Sequence, residues 1–280
     1  MKTVLITGCS SGIGKRLVGA FLEQGWKVIA TLRHAEERRD LLGTEAAAYG
    51  EQLLIQDLDI SQQNDIAAVA ASLDGVPLHC LINNAGYALF GALEASEEAQ
   101  VRQQIEVNLM GPMLLTRALL PSLRSGEGCV INLSSMMGSV GFPLSSSYCA
   151  SKAGLAMWSE AMRHELAPHN VRVAVVEPGG YRTNFGSNIQ WGAKSVEAYR
   201  NWTEGYRALQ SRLTSGEGRA PEPVVRRIVT LASASKVPLR SRVGADSVMS
   251  GWMIRILPEA LRLRILGRMF QRVFGGHRDG

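Results

Sequence analysis

Short apolar runs and stretches with helical spacing alternate from one end of the chain to the other. Runs around Val4, Val28, Leu54, Leu81, Val130 and Val173, with a last one from Leu239 to Val243, suit buried parallel strands. Between them, positions such as Leu17, Val18, Phe21 and Leu22 recur at the period of a helix. Alternation of this kind joins parallel strands through right-handed helical crossovers. It predicts an α/β fold: one Rossmann-type doubly wound parallel sheet of about seven strands with helices on both faces. No internal repeat or low-complexity linker interrupts it.

Between the first strand and the first helix lies Thr7-Gly8-Cys9-Ser10-Ser11-Gly12-Ile13-Gly14. Glycines at a strand-to-helix turn let backbone approach a pyrophosphate, while the helix N-terminus offers free N–H groups and the positive end of its dipole. The spacing is G-x-x-x-G-x-G, a variant of the common G-x-G-x-x-G fingerprint. Farther on, Tyr148 and Lys152 stand four apart in a helical stretch, which puts them on one face. A free tyrosine titrates near ~10, so a neighbouring cation is expected to favour its phenolate. Ser135 follows the apolar run Cys129-Val130-Ile131-Asn132-Leu133, at a strand end facing the expected crevice, and its hydroxyl can reach the same carbonyl oxygen as Tyr148. One part of the chain can hold a dinucleotide, and the other can deliver a proton to a carbonyl oxygen.

With these motifs the chain resembles the classical short-chain dehydrogenase/reductase family over nearly all of its length. Thr7 to Gly14 matches the family's T-G-x-x-x-G-x-G, Asn83-Asn84-Ala85-Gly86 its N-N-A-G, Tyr148 with Lys152 its Y-x-x-x-K, and Pro178-Gly179 with Thr183 its P-G-x-x-x-T. The resemblance implies a catalytic tetrad of Asn108, Ser135, Tyr148 and Lys152. Tyr148 is then the acid and base, Ser135 polarises the carbonyl, and Lys152 holds the nicotinamide ribose. Asn108 carries a water that links Lys152 to solvent. Gly8, Ser10, Ser11, Gly12, Ile13 and Gly14 are expected around the pyrophosphate, with Asn84, Ala85, Gly86, Pro178, Gly179 and Thr183 farther along the cofactor. Asp59 and Ile60 are expected at the adenine, although Asp57 lies close enough to exchange with Asp59. No acid stands at the tip of the second strand. Arg33 is there instead, and with Ser11 it favours the 2′-phosphate of NADP(H) over NAD(H). No metal is expected, because neither H-E-x-x-H nor C-x-x-C spacing occurs.

Apolar and aromatic residues gather on the substrate side: Tyr87, Leu89 and Phe90, then Met136, Met137, Val140, Phe142 and Leu144, then Tyr181, Phe185, Ile189, Trp191, Tyr199, Trp202 and Tyr206. Of these, Tyr87, Met136, Met137, Phe142, Tyr181, Phe185 and Trp191 are the expected pocket. The resemblance makes about 184–215 a lid. Such walls suit a lipophilic ketone, aldehyde or alcohol. Thr7 to Gly12 and Ala30 to Arg33 look most like the subgroup of 17-beta-hydroxysteroid and retinol dehydrogenases, which implies a steroid, retinoid or long-chain carbonyl.

The chain of 280 residues has room for one such domain, and no apolar stretch is long enough to span a bilayer. Four cysteines without a disulfide-like framework suggest a reducing, cytoplasmic setting. Residues 1–257 are read as the catalytic domain and 258–280 as an amphipathic helix with a basic tail. From Arg219 onward Lys and Arg exceed Asp and Glu by eight, so the whole excess of +5 belongs to that end. There Leu261, Ile265, Leu266, Met269, Phe270 and Val273 recur at helical spacing with Arg262, Arg268 and Arg272 on another side, Pro258 in the first turn and Gly275-Gly276 as a stop. No nucleic-acid motif accompanies this charge. The stripe is expected to cover the body or a neighbouring subunit of a dimer or tetramer, with at most weak peripheral membrane contact. A catalytically idle dinucleotide-binding protein, serving redox sensing or interaction, is the rival reading. The presence of Ser135, Tyr148 and Lys152 together speaks against it.

Overall fold

A computed structural model describes residues 1–181, 189–214 and 219–274. Its centre is a seven-stranded parallel sheet of β1 (Thr3–Thr7), β2 (Lys27–Leu32), β3 (Leu53–Asp57), β4 (Cys80–Asn83), β6 (Cys129–Leu133), β7 (Arg172–Pro178) and β9 (Arg240–Val243). The order across the sheet is β3-β2-β1-β4-β6-β7-β9, so the winding reverses between β1 and β4. That reversal opens the crevice at the strands' carboxyl ends. Each expected strand is present.

Both faces of the sheet are covered, and alternate residues sort between them. Val4 and Ile6 point to the layer of α1 (Gly12–Glu23) and α8 (Glu222–Ser233), packing with Phe21, Val28, Val224 and Ile228. Leu5 points the other way, into the layer of α3 (Gln63–Ser72), α5 (Gly111–Ser125) and α6 (Ser146–Leu166), with Leu81, Leu115, Leu119 and Val130. The near-continuous apolar strand sequences follow from this double burial.

Two features lie outside the alternating pattern. Ala88–Phe90 (β5) and Ile189–Trp191 (β8) form a separate two-stranded parallel sheet, tying the chain after Gly86 to the segment that leads to α7 (Arg200–Thr214). After β9 come α9 (Ala245–Ile256) and α10 (Glu259–Phe274). The expected C-terminal helix therefore begins after Pro258, whose carbonyl accepts from Arg262 N–H, while Gly275-Gly276 lie outside the described residues. Leu266, Phe270 and Phe274 of α10 join a third apolar cluster with Phe90, Tyr148 and Tyr206. Only part of the expected stripe turns inward: Leu261, Ile265, Met269 and Val273 are exposed. No helix among the described residues is long and apolar enough to cross a membrane.

Candidate active site

One cavity of about 560 Å³ lies at the carboxyl ends of the central strands. Gly8, Ser10, Ser11, Gly12 and Ile13 line it, as do Asn84, Ala85 and Gly86. These two segments are stitched together by Thr7: its Oγ1 accepts the N–H groups of Asn84 (3.0 Å) and Ala85 (2.9 Å), while Asn84 Nδ2 donates to the carbonyls of Thr7 (2.7 Å) and Gly8 (3.1 Å). Gly14 does not line the cavity. It lies behind the turn, where a Cβ would stand 2.2 Å from Gly8 O and 2.5 Å from Asn84 Nδ2. The third glycine is thus required by close packing of the turn.

Arg33 follows β2 into the cavity lining, and so does Arg38, a second cation that sequence spacing gave no reason to select. Arg33 is well exposed, with Nη1 4.0 Å from Asp59 Oδ2. Leu58, Asp59 and Ile60 line the same region, whereas Asp57 is an exposed strand end outside the lining. Asp59 Oδ1 accepts from the N–H and hydroxyl of Ser61 at 2.9 and 2.7 Å, which fixes the turn after β3.

Ser135, Tyr148 and Lys152 all line this cavity. Ser135 is extended and starts a short helical turn, its Oγ accepting from Met137 N at 3.2 Å. Ser134 Oγ donates to Lys152 O at 2.9 Å and so locks the end of β6 to α6. Lys152 Nζ donates to Leu133 O at 2.8 Å and lies 5.9 Å from the centroid of the Tyr148 ring. Burial lowers the ammonium to about 8. Burial also raises the Tyr148 phenol well above its ordinary range, outweighing the lowering effect of its hydrogen bond with Ser135. Burial, more than the neighbouring lysine, sets the direction of the phenol's shift. In this desolvated site both groups are driven toward their neutral forms.

Asn108 sits in a π-helical turn, Glu106–Met110, between α4 (Glu98–Ile105) and α5. It is fully buried and does not line the cavity. Its Nδ2 donates to Tyr87 O (2.9 Å) and Ser151 Oγ (3.1 Å), and its Oδ1 accepts from Tyr87 N (3.1 Å). A Cβ on Gly86 would come 3.0 Å from Asn108 Oδ1 and 3.4 Å from Lys152 Nζ, so both side chains crowd the same glycine.

Tyr87, Met136, Met137, Phe142 and Tyr181 line the cavity, and so do Pro178 and Gly179. Trp191 does not, contrary to expectation. Its ring is enclosed by Phe90 (6.0 Å between centroids), Tyr206 (6.2 Å) and the Arg207 guanidinium (4.2 Å), and it faces a separate groove. Phe90 and Tyr206 reach the cavity instead, together with Leu209 and Gln210 of α7. Tyr206 is fully buried, and its hydroxyl is 2.8 Å from Ser145 Oγ at the start of the helix that carries Tyr148. Thr183 and Phe185 lie outside the described residues.

A glycine turn at the switch point of a doubly wound sheet, in one cavity with Ser135 and the buried Tyr148 and Lys152, defines a nicotinamide-dependent oxidoreductase. Residues 2–193 match the family model of the short chain dehydrogenases. The uncharacterized oxidoreductase YbbO of Escherichia coli is 34% identical over 96% of this chain and 94% of its own. Human retinol dehydrogenase 8 is 30% identical over 85% and 80%. Among solved structures, a short-chain dehydrogenase from Streptomyces avermitilis superposes with a TM-score of 0.81 at 33% identity, covering 96% of this chain and 99% of that one. One from Burkholderia cenocepacia in complex with NADP gives 0.75 at 28%, covering 95% and 99%. A 3-ketoacyl-(acyl-carrier-protein) reductase from Brucella melitensis complexed with NADH gives 0.71 at 25%, covering 88% and 98%. The chain belongs to the short-chain dehydrogenase/reductase family.

Proposed function

We propose that the protein is an NADP(H)-preferring oxidoreductase that interconverts a lipophilic ketone or aldehyde and its alcohol. The observation that carries this reading is the position of the Tyr148 hydroxyl. It is hydrogen-bonded to Ser135, and Tyr148 lines one cavity with both the glycine turn and the apolar side chains of Phe90, Phe142, Met137 and Leu209. Bound cofactor supplies or accepts the hydride. The chain's own residues do the rest. The turn from Gly8 to Ile13 and the segment from Asn84 to Gly86 hold the dinucleotide backbone, with Pro178 and Gly179 farther along, while Asp59 and Ile60 border the adenine. Arg33, joined by Arg38, faces the 2′-phosphate, where a charge-assisted hydrogen bond contributes roughly 1.5–3 kcal/mol.

Burial keeps Tyr148 protonated at neutral pH, which readies it to donate to a carbonyl oxygen in the reductive direction. Ser135 orients that oxygen. Lys152 holds the ribose hydroxyls, and Asn108 fixes Tyr87 and Ser151. Oxidation requires the phenol to give up its proton, so a cationic Lys152 matters more there.

The assembly proposed is a homodimer or homotetramer. The outward stripe of Leu261, Ile265, Met269 and Val273 beside Arg268 and Arg272 suits a subunit contact, with weak peripheral membrane contact as its lesser use. The test of function is NADPH oxidation by purified protein across steroid, retinoid, aliphatic and aromatic ketones. Turnover confined to apolar carbonyls supports the proposal. No turnover of any of them, or turnover only of small charged keto acids, overturns it.

A further inference from the structure

Asp246 stands in the first turn of α9, far along the chain from every motif described above, yet its side chain borders the cavity beside Pro178, Gly179, Gly180 and Tyr181. Its carboxylate is mostly buried, and each oxygen is engaged by a different donor. Gly180 N–H donates to Oδ2 at 2.7 Å, and Arg219 Nη1 donates to Oδ1 at 3.1 Å. The backbone is shaped to admit it. A Cβ on Gly179 would fall 2.0 Å from Oδ1, and one on Gly244, whose φ is 101°, would fall 2.7 Å from the same atom. Two glycines from different strand ends thus leave room for one carboxylate.

The neighbouring bonds act on the same stretch of chain. Ser247 Oγ donates to Glu177 O at 2.7 Å, and Gly179 N–H donates to Val243 O at 2.9 Å. The end of β7 is therefore held at three nearby points by β9 and α9. Asp246 supplies the only charged one of these three, and it also draws in Arg219, which precedes α8.

We infer that Asp246 is a positioning residue for the cofactor. Its carboxylate fixes the Gly179–Tyr181 turn in the shape that borders the cavity, with Arg219 compensating its charge. The inference rests on the reading that Pro178 and Gly179 contact the dinucleotide. A carboxylate is needed because two donors approach two different oxygens. An asparagine offers one acceptor and turns its amide protons toward the other donor. A glutamate is a methylene too long for a space already closed by Gly179 and Gly244.

The experiment is a fluorescence titration of NADPH into wild type, Asp246→Ala, Asp246→Asn, Arg219→Gln and the Asp246→Asn/Arg219→Gln double variant, with thermal melts on the same samples. Asp246→Ala is expected to raise the Kd for NADPH about tenfold, the cost of leaving a backbone donor without its partner. Asp246→Asn is expected to recover part of that loss. Its combination with Arg219→Gln is expected to be non-additive, because both act through one contact. A folded Asp246→Ala variant with lowered Tm and wild-type Kd would show a structural role only and overturn the inference. If Asp246→Ala does not fold, the cycle decides alone: non-additive Kd values support the inference and wild-type values overturn it. Failure of the wild type to bind NADPH would instead overturn the functional reading. Binding by wild type and variants alike overturns only the role of Asp246.

Discussion

The two ends of the cavity are built on different physical terms. At the cofactor end the glycine turn from Gly8 to Ile13 brings backbone to the surface and is held to Asn84 and Ala85 by Thr7 and by the Asn84 amide. At the substrate end the wall is side chain. Phe90, Phe142 and Tyr206 come from three distant segments, and Phe270 and Phe274 of α10 stand behind them, with ring centroids 5.0 Å apart for Phe142–Phe270 and 5.3 Å for Tyr206–Phe274. Backbone recognition tolerates no added atom at a few fixed positions. An aromatic wall can be reshaped one ring at a time.

The comparison breaks most sharply at Gly14. Gly14→Ala places a methyl 2.2 Å from a backbone carbonyl, so the turn itself must move. Cofactor affinity should fall by up to about a hundredfold, measured by NADPH titration, if overpacking costs 1–3 kcal/mol. Arg33→Ala should be milder. It should remove most of an NADPH preference over NADH of about tenfold in kcat/KM, with any remainder carried by Arg38. Equal use of the two cofactors by the wild type would remove the basis for this prediction.

At the other end, deletion after Leu257 strips the support from Phe142 and Tyr206. KM for bulky ketones should rise several-fold, roughly the effect of losing 1 kcal/mol of contact, and KM for small ones less. Size-exclusion of the truncated chain would show whether α10 also serves assembly. Unchanged kinetics would mean that the wall stands without it.

The smallest effect expected is a slope. Lys152 titrates near 8 in the folded chain, below its ordinary value of 10.5. Between these values the unfolded chain binds the extra proton, so stability gains from this group as pH rises from about 8 toward 10.5, and its destabilising effect is complete below that window. The ligand-free wild type should therefore gain stability relative to Lys152→Met across the window in chemical denaturation. A flat difference would mean that burial does not perturb the lysine.

The same contrast explains what the sequence made legible. All seven sheet strands and the glycine turn were readable because each is a local pattern fixed by double burial or backbone approach. The grouping of Ser135, Tyr148 and Lys152 was legible as well, since a strand end and a helical i,i+4 pair set it. β5 and β8 escaped because three residues carry no period. Arg38 lies in a turn with no signal of its own. An aromatic such as Trp191 reads as pocket lining in the sequence, but Phe90, Tyr206 and Arg207 pack around it, which only the packing reveals. Helical arithmetic found the stripe of α10. Which part faces inward depends on α7 and on Phe142, so Phe274 packs inside while Leu261, Ile265, Met269 and Val273 stay exposed. The state of Tyr148 depends on how dry its surroundings are, and spacing does not report that.

The central claim is that the Tyr148 hydroxyl transfers the proton while other groups hold the cofactor. The most direct test is a single-turnover measurement of NADPH oxidation by wild type and Tyr148→Phe, with enzyme in excess over the best ketone found and NADPH affinity titrated in parallel. The account predicts that Tyr148→Phe slows the step by about 10²–10⁴-fold with nearly unchanged NADPH affinity. A variant that binds NADPH normally and keeps a substantial fraction of the wild-type rate would contradict it.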